Sequence, residues 1–178
     1  MDGGRARFGK VIPRWGIVAA VSLAAVVGTI LVTRGVGGDP APGPLRSVRP
    51  AAAPFRGLGA GEIRVGERTW SVVVADDLAE REQGLRGRAS AAPYDGMLFV
   101  FGSDSEVSFT MAGVPAPLDV VFYDVAGHPV AHRRMVPCAG TDATCPLYSA
   151  GVPFRYALET ASGAGPGPGA RMRVTPGS

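Results

Sequence analysis

Residues 15–33 carry no charged side chain, and between positions 16 and 32 only Ser22 and Thr29 are polar. A helix of this length reaches about 28 Å, close to the roughly 30 Å hydrocarbon core of a bilayer. The run predicts a transmembrane anchor. A cleaved signal peptide has a shorter apolar core, about 7–15 residues, and a small-x-small cleavage site. Here the run is longer and Thr33-Arg34-Gly35 follows it, so the anchor fits better than cleavage or a buried soluble helix.

Residues 34–61 lose all periodicity. Prolines 40, 42, 44, 50 and 54 and several glycines mark a linker with too few apolar positions to bury a core. Periodicity returns over 62–160. Ile63 and Val65 lead into Gly66-Glu67, and Trp70, Val72 and Val74 follow at period two, which predicts a hairpin. Asp77 with Glu80 three residues on is a capping box, predicting a short helix from Leu78 to Gln83 that ends at Gly84. The apolar run 96–101 predicts a buried strand. Val107, Phe109 and Met111 alternate with polar residues and predict another. Leu118 to Tyr123, His128 to Val136 and Phe154 to Glu159 are three more, with a turn at 124–127 and Pro129 near a strand start. The fold class expected is mainly β (α+β): a small antiparallel sandwich or barrel with one short helix, preceded by the transmembrane helix. Residues 161–178 form a Gly/Pro-rich tail, with one last possible strand around Arg171 to Val174.

Charge sets the orientation. Arg5, Arg7, Lys10 and Arg14 precede the anchor against Asp2 alone, which predicts a cytoplasmic N-terminus (1–14) and an extracytoplasmic β domain at the cytoplasmic membrane. The overall charge is +3, yet residues 62–160 hold eight basic and thirteen acidic side chains. An acidic folded part excludes nucleic acid as a partner. The partners implied are the lipid bilayer, through 15–33, and an envelope protein or small ligand.

Several segments together carry a resemblance. They are Val74-Ala75-Asp76, the stretch from Glu80 to Arg88, 96–101, Phe109-Thr110-Met111, Pro117 to Phe122, Cys138 with Cys145-Pro146 and Tyr148, and Tyr156-Ala157-Leu158-Glu159. In this order the chain resembles the domain of unknown function numbered 192, a family of uncharacterised, often membrane-associated bacterial and archaeal proteins. The resemblance implies a compact, mostly β domain and no established activity. One departure stands out. After its aromatic-x-Met element the family usually continues with a basic residue, Asn and Thr, whereas this chain has Ala112-Gly113-Val114.

Cys138 and Cys145, the only cysteines, are expected to form a disulfide outside the cytoplasm. A zinc site needs more ligands, and redox catalysis usually needs C-x-x-C. His128 and His132 fit solvent-facing positions on one hairpin strand. Asp119 interrupts the apolar run 118–122. A carboxylate there needs hydrogen bonds or a cation, so it is either a structural clamp or ion pair, with Arg88 or Arg86 as the cation, or a ligand-orienting or acid–base group. Asp76-Asp77 reads as a helix cap. Tyr94, Tyr148 and Tyr156 suit half-buried positions or a pocket wall. The candidate ligand site is Arg88, Phe109, Met111, Asp119 and Tyr148. No nucleophile elbow, phosphate loop or dinucleotide fingerprint occurs, and no cofactor, metal or catalytic residue is assigned. The function favoured is a non-catalytic binding module near the membrane surface. The alternatives are a hydrolase of envelope material centred on Asp119 and Arg88, and a structural part of an envelope assembly.

Overall fold

The structure, a computed structural model, describes residues 49–174. The expected anchor over 15–33 and its basic flank lie outside the described residues. Among the described residues no helix is long and apolar enough to cross a membrane.

Ten strands and one helix follow in order. β1 (Arg49–Pro50) and β2 (Gly59–Val65) lead into β3 (Arg68–Ala75), and α1 (Leu78–Gln83) then crosses to β4 (Gly96–Ser105). β5 (Phe109–Thr110), β6 (Leu118–Tyr123), β7 (Pro129–Met135) and β8 (Leu147–Tyr148) precede β9 (Phe154–Ala161) and β10 (Met172–Val174). Eight strands form one sheet in the order β1-β2-β3-β4-β9-β6-β7, with β10 also on β2, while β5 and β8 form a separate pair.

The sequence-predicted hairpins are present: β2 pairs β3 across Gly66 and β6 pairs β7 across the 124–127 turn. Gly66 has φ +59°, a conformation glycine adopts at little cost. The capping box is present with both its hydrogen bonds, and α1 has the expected bounds. Three expectations change. The sheet is not purely antiparallel, because β3 and β4 run parallel. Parallel neighbours require a crossover, and α1 lies in it. The sheet does not close by strand pairing into a barrel; its ends meet at one backbone hydrogen bond, from Met172 N–H to the Gly127 carbonyl. The strand expected through 107–111 shrinks to two residues of the separate pair.

The linker is also shorter than its composition suggests. Residues 49–61 belong to the folded domain: Phe55 is 2% exposed, and Ala51 and Ala60 are buried with it. Pro50 sits in the edge strand β1, where a missing N–H is tolerated. The Gly/Pro tail is likewise folded as far as Val174, because it returns to lay Met172, fully buried, beside Val65.

Both faces of the sheet are buried. One holds Ile63, Trp70, Val72, Leu98, Tyr123 and Leu158. The other holds Val73, Met97, Phe99, Val120, Phe122 and Ala157. The β5–β8 pair adds Phe109 and Tyr148 to the second face, and the chain after α1 adds Leu85.

Candidate functional site

Glu159 stands on the second face, in the middle of the sheet. Its register partners are Met97 on β4 and Val120 on β6. Gly96 makes this packing possible: a Cβ there would overlap the Glu159 carbonyl. Phe99, two residues beyond Met97, lies on the same face as Glu159 and diagonal to it across the β4–β9 ladder. The Phe109 ring meets Phe99 edge-on at 5.0 Å and Phe122 at 5.4 Å. Gly84, at φ +47°, ends α1 so closely over Phe99 that an added Cβ would touch the ring at 3.5 Å.

Between this face and the helix side lies a cavity of about 310 Å³. Glu159, Phe99, Phe101, Phe109, Leu85 and Val114 line it, with Leu78, Val107, Ser108 and Thr110. Arg81, Glu82, Gln83, Gly84 and Arg86 complete the wall. A concave, mainly apolar space with a few polar groups is the usual form of a small-molecule site.

The Glu159 residue is 5% exposed. Burial pushes its carboxyl up to about 8, and no hydrogen bond or ion pair to the carboxyl occurs among the described residues. The two cavity-lining arginines are committed elsewhere. Arg81 donates to the carbonyls of Asp76 and Val100 and lies 5.1 Å from the centre of the Phe101 ring. Arg86 donates to the carbonyls of Glu82 and Ala112 and pairs with Asp142 at 2.7 Å. The floor of the cavity is therefore an acid that is neutral at pH 7, able both to donate and to accept a hydrogen bond.

The residues expected to form a ligand site are not brought together. Phe109 lines the cavity. Met111 is sealed in the core behind it, and Tyr148 pairs with Phe109 across β5–β8 while its hydroxyl accepts from Val136 N–H. Arg88 lies over the Phe55 ring at 4.7 Å and donates to the Pro54 carbonyl. Asp119 accepts from the Gly163 N–H at 2.7 Å and the Ser162 hydroxyl at 3.4 Å. It is a clamp on the turn that starts the returning tail, and it does not pair with Arg88, which is held at Pro54 and Phe55 instead. The Tyr94 hydroxyl accepts from Ala52 N–H, and Tyr156 is buried on the first face. His128 pairs with Asp124 at 3.2 Å and His132 is exposed on β7. Cys138 and Cys145 are joined in a disulfide.

Glu159 is not among the residues expected to form a site from the sequence. Its signal was the one applied to Asp119, a carboxylate inside an apolar strand: Tyr156-Ala157-Leu158-Glu159 is no less apolar than Leu118-Asp119-Val120.

Comparison with protein families matches residues 61–173 to the domain-of-unknown-function family 192, described as "Uncharacterized ACR". The match covers most of the chain, and the chain belongs to this family. Comparison with curated proteins finds no match. Among solved structures, the chain is 30% identical to a protein of Sinorhizobium meliloti 1021 described as a candidate transcription regulator. The alignment covers 65% of this chain and 94% of that one, with a TM-score of 0.57. A protein of unknown function from Novosphingobium aromaticivorans DSM 12444 is 22% identical over 72% of this chain and 95% of its own, with a TM-score of 0.60. The latter likeness bears on the fold alone.

Proposed function

We propose that this member of the family is a membrane-anchored, extracytoplasmic binding module whose pocket above Glu159 holds a small, mostly apolar ligand bearing one polar group. The anchor is the uncharged run 15–33 and the orientation follows its basic N-terminal flank. The observation that carries the ligand reading is Glu159: a buried carboxyl without a partner among the described residues, in a mainly apolar cavity of about 310 Å³. A buried polar group normally has its hydrogen bonds met. An unmet one facing open space leaves that role to a ligand.

One observation favours a second reading, that of an enzyme: an acid held protonated at neutral pH is in the state a general acid needs. That reading moves to Glu159 and away from Asp119, which does not line the cavity.

The test uses toluene as an apolar probe on the full chain in maltoside micelles, followed by ligand-observed NMR. Ser108→Trp places a bulky ring at the exposed lining position 108. Binding by the parent chain and its loss in Ser108→Trp support the reading. No binding by the parent, or equal binding by both, overturns it.

A further inference from the structure

Resting on that reading of the pocket, we infer that the polar group of its ligand is an organic ammonium, seated between the Glu159 carboxyl and the rings of Phe99 and Phe109.

Phe99 and Phe109 meet edge to face at 5.0 Å with ring planes 83° apart, and both line the cavity with Glu159. Ring faces carry negative quadrupole density and attract cations; aromatic groups with a nearby carboxylate are how ammonium groups are commonly recognised. Phe101, the third ring of the cavity, already has a guanidinium over it.

The charges around Glu159 point the same way. From α1 and the chain after it, Arg81, Glu82 and Arg86 line the cavity. From β4 and β6 its neighbours are Met97, Phe99, Val120 and Phe122, and from β5 they are Phe109 and Thr110, none of them ionised. Burial raises the affinity of Glu159 for its proton. Among the described residues no cation pairs with this carboxyl, because Arg81 and Arg86 are held by carbonyls and by Asp142; a ligand's own positive charge can supply the counter-charge. An anionic ligand would meet a neutral acid at the floor and gain no ion pair there.

Binding is then a proton exchange. The protonated Glu159 carboxyl loses its proton to solvent and the ammonium keeps its own. The complex holds one carboxylate paired with one ammonium, and one proton is released per ligand bound below the Glu159 midpoint.

Titration calorimetry of the full chain in maltoside micelles, with benzylamine, toluene, benzyl alcohol and benzoate as probes, tests this. Repeating the titration in buffers of different ionisation heat counts the protons. The expected result is a preference for benzylamine, about one proton released near pH 6.5, and affinity rising up to about tenfold per pH unit between pH 6 and 8. Glu159→Gln should keep toluene binding, which reports an intact pocket, and lose both the proton release and the pH dependence. Toluene binding as tightly as benzylamine across this range, or benzylamine binding without proton release, overturns the ammonium inference and leaves the pocket reading standing. Binding of none of the probes overturns both.

Discussion

Asp119 and Glu159 sit on adjacent strands one step apart in register: Asp119 is opposite Thr160, and Glu159 is opposite Val120. Side chains alternate across a sheet, so this single step sends the two carboxylates to opposite faces. Asp119 faces the returning tail and is satisfied there by Gly163 and Ser162. Glu159 faces the cavity and is not satisfied by any described residue. Two similar sequence signals thus have different physical fates, one structural and one open to a ligand.

The clamp at Asp119 has a measurable worth. A charged acceptor holding a backbone N–H contributes about 2 kcal/mol. Asp119→Ala is expected to lower unfolding stability by about that amount in urea, while toluene binding at the Glu159 pocket persists. Loss of binding in a variant still folded under the assay conditions would place Asp119 in the site after all.

Burial of Glu159 makes stability depend on pH in a defined direction. Its folded value, about 8, lies above the ordinary 4.5. Between the two, the native state holds a proton that the unfolded chain has lost, so this contribution is full below about pH 4.5 and drains away as pH rises to about 8. The slope is at most about 1.4 kcal/mol per pH unit. In Glu159→Gln this slope should vanish, and urea unfolding of both proteins at pH 5 and pH 8 measures it. Parallel pH profiles would contradict the assignment.

Gly127 is where the ends of the sheet meet. It has φ +80°, and a Cβ there would overlap the Met172 carbonyl. Its own carbonyl accepts the Met172 N–H. Gly127→Ala is expected to lose about 2 kcal/mol or more and to release β10. Hydrogen exchange of the 172–174 amides checks this: protection should fall there first, before the β6–β9 ladder.

The disulfide closes a short loop, which on the chain-entropy model contributes about 2.5 kcal/mol. Asp142, within that loop, holds Arg86 on the cavity wall. Reduction by dithiothreitol should lower the urea midpoint correspondingly, and it should also broaden the NMR signals of α1 and the residues after it. An unchanged midpoint would show the loop to be held by its other contacts.

Much of this fold was legible because local patterns were strong. The period-two run 70–74, the capping box Asp77/Glu80 and the apolar runs at 96–101 and 118–123 each became the expected element. What stayed hidden depended on tertiary contact. The composition of 34–61 reads as spacer, and tertiary contacts reveal that its end is folded: β1 pairs with β2, and the Phe55 ring packs against Tyr94 at 6.0 Å. The parallel pairing of β3 and β4 is a matter of topology that alternation does not encode. Which of two carboxylates faces a cavity rests on one step of register, invisible until strands are paired. Of the candidate ligand-site residues, Phe109 lines the cavity, whereas Arg88 and Tyr148 are spent on Pro54, Phe55 and Val136.

Ionisation of one side chain, Glu159, is the most direct test of the pocket. A carbon-13 titration of the Glu159 carboxyl in the full chain, assigned by comparison with Glu159→Gln, reads it without any ligand. A midpoint near 8 is the predicted result; a midpoint near the ordinary 4.5 would mean that water or a protein group already satisfies the carboxyl and that the pocket has no unmet acid to offer.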